Sequence, residues 1–317
     1  MKKKQVFFFR NYKGFTGGHL KMFDYFNHIS MSDNCEPKIY FTPDSVWDES
    51  NPWIDCGSQL LKDWNPYEAD LLFLGGMDWY SLHQPERKNW PKPIINLVQG
   101  FRHSLTDTLL YECLSNHAIR ICVSQEVTDA ILETGKVNGP VFTIPNGIDY
   151  SFINNIQPEG RKEFDLLIVG LKNPNMAKEL EIACKYLPIT IKCLTEKIPR
   201  LDFIRAIAAS RIAVLLPSVT EGFYLPAIEA MALGTIVICP DCIGNRAFCK
   251  NGDNCIVPTY TLDGIFEAVN IVTIMNSNGL NRIRNSAIAV SKLHNLENER
   301  QSFFEILNLT SKIWKQI

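Results

Sequence analysis

Leu215-Leu216-Pro217-Ser218-Val219-Thr220-Glu221-Gly222-Phe223-Tyr224-Leu225-Pro226-Ala227-Ile228-Glu229-Ala230-Met231-Ala232-Leu233-Gly234 is the stretch on which the reading of this chain turns. A buried strand ends at Pro217, a loop carries Glu221 and Gly222, and a helix begins near Leu225-Pro226, where proline suits the first turn. Such a loop aims backbone N–H groups and the positive end of the helix dipole at whatever binds there, and a diphosphate fits that description. Gly222 lets the backbone approach a ligand closely. Glu221 stands on the loop, and Glu229 lies about one turn into the helix. Two carboxylates so placed accept hydrogen bonds from two separate hydroxyl-bearing rings. On spacing alone, an ordinary loop and a helix-surface pair of glutamates explains the same residues.

Outward from this segment, apolar runs alternate with helical spacing. In the second half, Phe164–Val169, Ile189–Cys193, Ile212–Leu216 and Thr235–Cys239 read as strands. Asn175–Tyr186, Arg200–Ala209, Leu225–Leu233 and Leu262–Asn276 read as helices. In the first half the strands are Val6–Phe9, Lys38–Phe41, Leu71–Leu74, Ile94–Val98 and Ile119–Val123, with helices at Asp107–Asn116 and Gln125–Thr134. After the first strand comes the glycine loop Gly14-Phe15-Thr16-Gly17-Gly18, then Leu20, Phe23 and Phe26 at helical spacing. Strand, glycine turn and helix open a βαβ unit. The alternation predicts two doubly wound α/β domains with parallel sheets covered on both faces. A ligand site is expected beyond the carboxyl ends of the strands, in the cleft between the domains. The polar, turn-rich run Asn154–Arg161 is the expected linker, with one domain over residues 1–156 and the next over 157–298. Residues 299–317 form a separate apolar terminal segment, carrying Phe303, Phe304, Ile306, Leu307, Leu309, Ile313 and Trp314. It packs on a domain or forms a membrane-facing or dimer surface.

The 317 residues agree with two domains on a prior of ~150 residues each. Hydrophobic residues make up 46%, enough for packed cores, and the formal net charge of −2 gives no electrostatic case for nucleic acid. Lys2, Lys3, Lys4, Arg10 and Lys13 crowd the N-terminus, where they meet an anionic lipid surface or simply lead into the first strand. The run Val6–Phe9 is too short for a secretory signal, and no run approaches the ~18 apolar residues of a membrane span. A cytoplasmic protein, or one peripheral at the inner face of a membrane, is therefore expected. Among ten cysteines, Cys239 and Cys242 have metal-ligand spacing, with Cys249 and Cys255 following. However, Cys239 closes an apolar strand and the later pair is not a close one, so buried thiols are expected and no metal.

The quoted segment resembles the signature of retaining GT-B glycosyltransferases, family four, in which a strand leads to two glutamates with seven residues between them. Pro217-Ser218, Glu221-Gly222-Phe223 and Glu229-Ala230-Met231-Ala232-Leu233-Gly234 carry the likeness. Ile144-Pro145-Asn146-Gly147-Ile148-Asp149, Ser124 before a helix, and Gly244-Asn245-Arg246-Ala247-Phe248 followed by Asn251–Pro258 resemble further family segments. Ala247 stands where family members often carry an acidic residue. The resemblance implies a GT-B fold: two Rossmann-like domains facing a central cleft, with the C-terminal helix crossing back onto the first domain. It implies glycosyl transfer from a nucleotide-diphosphate sugar (UDP-, GDP- or dTDP-linked) to a hydroxyl acceptor that is a glycan or lipid-linked, with retention and without a metal or cofactor. Cell-surface polysaccharide or lipopolysaccharide assembly is the setting it implies. By resemblance Glu221 contacts the donor sugar and Glu229 the ribose, while Gly222, Phe223, Tyr224 and Leu225 cradle sugar and phosphates.

Gly17 and Gly18, in the first loop, lie against the donor phosphate in the family; the loop is not a dinucleotide fingerprint. Lys172 and Lys178 are candidates for the diphosphate cations, since the arginine usual in the family after the first strand of the second domain is absent; a solvated helix start accounts for them equally. His103, on the loop after Ile94–Val98, is a candidate to bond the donor sugar or shuttle a proton, with a functionless loop histidine as the competing reading. Asp78 is a candidate base or acceptor contact. Arg102 and His19 are acceptor-side candidates. Two other classes stay open: a nucleotide-sugar 2-epimerase of the same fold, and a non-catalytic GT-B scaffold subunit.

Overall fold

The computed structural model describes residues 2–156 and 162–315. Residues 157–161 of the expected linker, and 316–317 of the terminal segment, lie outside the described residues. The first half of the chain forms β1 (Lys4–Arg10), α1 (Gly17–Ser30), β2 (Cys35–Phe41), β3 (Leu71–Gly75), β4 (Ile94–Val98), α2 (Leu109–Glu112), β5 (Ile119–Cys122), α3 (Gln125–Glu133), β6 (Val141–Thr143) and α4 (Tyr150–Asn154). The second forms β7 (Phe164–Val169), α5 (Pro174–Cys184), β8 (Ile191–Leu194), α6 (Arg200–Ala208), β9 (Ser210–Leu215), α7 (Leu225–Ala232), β10 (Ile236–Ile238), α8 (Leu262–Ile274), α9 (Ser277–Ser291) and α10 (Leu296–Lys315).

These elements divide into two compact units, one of Met1–Asn146 with Glu299–Ile317, the other of Gly147–Asn298. The second unit thus begins ten residues before the boundary read from the sequence. Packing explains the difference. Gly147 lies so close to Asn295 that a Cβ would sit 2.4 Å from its carbonyl oxygen. Ile148 bridges Asn295, and the Tyr150 hydroxyl lies 2.6 Å from Ser291 Oγ. Residues 147–156 are therefore fastened to the end of α9.

In the first unit six parallel strands stand in the order β2-β1-β3-β4-β5-β6. The chain leaves β1 toward β2 and returns to β3 on the other side, which makes the carboxyl ends of β1 and β3 the switch point where such sheets bind ligands. The central strands are buried on both faces, as a sheet covered by helices requires; all five residues of Leu71–Gly75 and of Ile94–Val98 are buried. Phe8 stacks on Phe73 at 4.9 Å, and Phe303 of α10 packs edge-on to Tyr25 of α1 at 4.8 Å. The apolar load of the terminal segment thus covers the sheet of this unit. The helix read over Asp107–Asn116 is shorter: α2 stops at Glu112 and a 3-10 turn follows over Cys113–Ser115. The reason is Arg120, fully buried in β5, whose Nη2 donates to the carbonyls of Cys113, Leu114 and Asn116 at 3.2, 2.8 and 2.7 Å. Those carbonyls turn toward the guanidinium instead of extending the helix.

The second unit holds four parallel strands in the order β10-β9-β7-β8, with the switch point between β7 and β9. Its core joins Leu166 and Ile168 to Val214, Ile238, Leu180 and Val269. Helix α9 has no counterpart in the sequence reading, because only Ile283, Ala287 and Ser291 along its length are buried. All ten cysteines are free thiols. Cys239, Cys242, Cys249 and Cys255 are buried, and Asn245 Nδ2 donates to Cys239 Sγ. Among the described residues no cluster of His, Cys, Asp or Glu is arranged to hold a metal ion. No helix among them is long and apolar enough to cross a membrane.

Candidate functional site

Each unit brings its sequence-selected residues to the carboxyl ends of its own strands. In the second unit three consecutive βα connections do this. The β7–α5 connection carries Lys172, α6 opens on Arg200, and the β9–α7 connection carries Glu221, with Glu229 one turn into α7. The loop between β9 and α7 is held from outside. Ile243 N–H donates to the Val219 carbonyl at 3.1 Å, and Tyr224 N–H to the Gly244 carbonyl at 2.8 Å. A side chain at 244 does not fit: a Cβ there would lie 2.8 Å from Phe223 N and 2.9 Å from the Glu221 carbonyl oxygen. Phe223 packs into a ring cluster with Phe248 at 5.1 Å and His294 at 5.4 Å. Gly222, Phe223, Tyr224 and Leu225 are buried. The Tyr224 amide, expected in the phosphate cradle, is thus engaged by Gly244, and the Leu225 amide by the Phe223 carbonyl at 3.1 Å.

Each glutamate has a cation. Lys172 Nζ lies 3.7 Å from Glu221 Oε1, with the lysine more than half exposed, an arrangement that contributes little stability but leaves a mobile charge beside the loop. Glu229 is buried, and Arg200 grips both its oxygens: Nη1 donates to Oε2 at 2.9 Å and Nη2 to Oε1. Lys178 is exposed on α5 and within electrostatic reach of Cys193. Among the described residues no contact joins it to either glutamate. Arg200 carries no local sequence signal, because its partner lies 29 positions away. Nor does Gly244 show in the sequence the close backbone contact that requires it.

In the first unit the residues gather at the β1/β3 switch point. Arg10, at the end of β1, donates from Nη1 to Asp78 Oδ2 at 2.6 Å, and its Nη2 lies 3.0 Å from His19 Nδ1. Asp78 also accepts from Gly75 N–H at 2.9 Å. Burial pushes the Asp78 carboxyl up to about 6, with Arg10 and the Gly75 amide pulling the other way. Thr16 caps α1 by accepting from His19 N–H, so Gly17 and Gly18 form the first turn. Gln99 Nε2 donates to the Gly18 carbonyl at 3.2 Å and ties the β4 end to that turn. Next to it, in a 3-10 turn over Phe101–Ser104, His103 is buried, and its Nδ1 has no hydrogen-bond partner among the described residues. Burial, then the charges of Arg120 and Arg102, lower its imidazole to about 4, so the ring is neutral at physiological pH. Arg102 is exposed on the same turn. Arg10, the group that joins Asp78 and His19, was read from the sequence only as one of several N-terminal charges.

Comparison with known proteins adds the class. The family described as glycosyl transferases group 1 matches residues 141–273, which is under half of the chain. Sucrose-phosphate synthase from Thermosynechococcus elongatus superposes with a TM-score of 0.71 at 11% identity, over 96% of this chain and 98% of that one. HepE of Anabaena, solved in complex with UDP-glucose, superposes with a TM-score of 0.72 at 14% identity, over 96% and 99%. A glycosyltransferase from Rickettsia africae covers both chains fully, with a TM-score of 0.66 at 12% identity. No curated protein matches the chain by sequence. At these identities the structural likeness establishes the fold, and the fold is GT-B. The chain folds as these glycosyltransferases do. Its resemblance to the group 1 glycosyl transferases is carried by residues 141–273, the stretch that holds Lys172, Arg200, Glu221 and Glu229.

Proposed function

We propose that this enzyme transfers a glycosyl group from a nucleoside-diphosphate sugar to a hydroxyl of a glycan or lipid-linked acceptor, with retention of anomeric configuration and without a metal. The observation that carries the proposal is the pair Glu221 and Glu229, one on the loop before α7 and the other one turn into it, each faced by a cation from the preceding βα connections. Glu229 takes the ribose hydroxyls and Glu221 the sugar hydroxyls. The amides around Gly222 and Phe223, the α7 dipole and Lys172 meet the diphosphate. In the reaction the bond from the anomeric carbon to the leaving phosphate breaks, and one to the acceptor oxygen forms on the same face. The acceptor's proton passes to the departing phosphate, whose charge is stabilised by fixed donors. On the first unit Asp78 and His103 serve as groups that receive or orient a proton, Arg102 and His19 as contacts for an acceptor, and the Gly17–Gly18 turn as a phosphate contact. The work takes place in the cytoplasm or at the inner face of a membrane, in the assembly of a surface polysaccharide or lipopolysaccharide. Because HepE was solved with UDP-glucose, that donor is the first to try.

Glu221→Ala and Glu229→Ala test the proposal. Both variants are expected to lose transfer, or donor binding, while keeping the circular dichroism of the parent. Undiminished turnover in both would overturn it. Donor incubated without acceptor is expected to remain unepimerised, and a 2-epimerised sugar would contradict transfer as the function.

A further inference from the structure

Arg200 is a cation where a helix disfavours one. It is the first residue of α6, where the backbone dipole is positive, and Pro199 before it offers no side-chain cap. Local rules broken in this way mark either a defect or a function. What offsets the breach is Glu229, buried in α7 and engaged by both guanidinium nitrogens. The Arg200 side chain keeps about a fifth of its surface exposed, and the face of Phe152 lies 5.9 Å away. A buried carboxylate with one oxygen on each prong of a planar fork is fixed in position and in plane. It has about four lone-pair sites, of which the fork uses two. One acceptor site remains on each oxygen, on the edges that diverge from the fork, and a single hydroxyl can donate to either.

Resting on the proposed function, we infer that Arg200 is the positioning residue for the donor's ribose. By holding the Glu229 carboxylate in one plane, it makes that group a fixed acceptor for a ribose hydroxyl. That ribose contact is then a unit of two residues from two successive βα connections. A lysine at 200 keeps the charge but offers a point donor in place of the fork, so it restores the ion pair without restoring the alignment.

The test is calorimetric binding of UDP, GDP and ADP, and of the 2′,3′-dideoxy form of whichever binds tightest, to the full chain. The parent is expected to prefer the ribonucleotide by tenfold or more, on the order of one charge-assisted hydrogen bond. Arg200→Met and Arg200→Lys are expected to lose about tenfold in ribonucleotide affinity and little in dideoxynucleotide affinity, so that the preference collapses. Arg200→Met strands a buried carboxylate and is the variant at risk of unfolding. Arg200→Lys keeps the charge balanced and gives the same readout. A ribose preference that survives in Arg200→Lys overturns the inference, as does an equal loss for both nucleotide forms. Failure of the parent to bind any of the three nucleotides overturns the proposed function and this inference with it.

Discussion

Asp78 and His103 separate by charge state, although both were selected from the sequence as proton-handling candidates. Asp78, at about 6, is half ionised within the working range, whereas His103, at about 4, is neutral throughout it. A carboxylate acting as base or orienter must be ionised, so transfer is expected to rise as pH rises through about 6 and then level off. Asp78→Asn is expected to flatten that rise, measured as rate against pH. A rise that persists in the variant would remove Asp78 from the role. The stability consequence of His103 has the opposite direction to a salt-bridged histidine. Its folded-state value is depressed from 6.5, so its contribution is present above that value and is lost as pH falls toward 4. His103→Gln is expected to weaken the loss of denaturant stability between pH 6.5 and 4. Neither shift was visible in the sequence, because burial drives both, while Arg10 opposes the one on Asp78 from 68 positions away and Arg120 adds to the one on His103 from 17. The glutamates and Lys172 were visible as candidates; the pairing of each glutamate with a cation, and Arg200 altogether, were not, since these contacts form only across the folded unit.

At the scale of elements, helix docking and loop shape carry the energetics. Helix α10 is fastened to α1 by a buried ionic cluster in which Lys21 Nζ meets Asp24 Oδ2 and Glu299 Oε2, each at 2.7 Å. His28 Nε2 lies 3.0 Å from Glu299 Oε1. Burial opposes the charge on Glu299, but Lys21 and His28 outweigh it and hold its carboxyl below the usual value. That contribution is present at neutral pH and is lost as pH falls through the lowered value. Glu299→Ala breaks a buried charge-assisted hydrogen bond while Lys21 keeps Asp24, so it is expected to cost about 1.5–3 kcal/mol in urea denaturation. A cost below about 1 kcal/mol would place the docking of α10 in Phe303 and its neighbours instead. Gly244 makes the equivalent point for the β9–α7 loop. Gly244→Ala would push against Phe223 and Glu221 backbone atoms and is expected to weaken donor binding more than it lowers stability, by about 1–3 kcal/mol on the fold. The strands were legible because parallel strands buried on both faces are continuous apolar runs, and β4 and β7 match their expected bounds. The polar helix α9 and the shortened α2 were not, since one buries few residues and the other is cut by a side-chain contact from β5.

For the molecule as a whole, two doubly wound units follow from the alternation of apolar runs with helical periods, and the structural likeness confirms the GT-B fold that the Glu221–Glu229 segment implied. The boundary between them was the harder reading, because the turn-rich run at 154–161 looks like a linker, whereas Gly147, Ile148 and Tyr150 are already packed against the end of α9. The central claim is that the second unit binds a nucleotide sugar through Glu221 and Glu229. A ligand that binds only the folded chain raises its apparent stability, by about 2.7 kcal/mol at a hundredfold excess over Kd. The most direct test is therefore the melting temperature of the parent, Glu221→Ala and Glu229→Ala with UDP-, GDP-, dTDP- and ADP-sugars. At least one donor is expected to raise the parent's Tm by several degrees, with that rise lost in Glu229→Ala and diminished in Glu221→Ala. A parent that no donor stabilises, or variants stabilised as fully as the parent, would contradict the account.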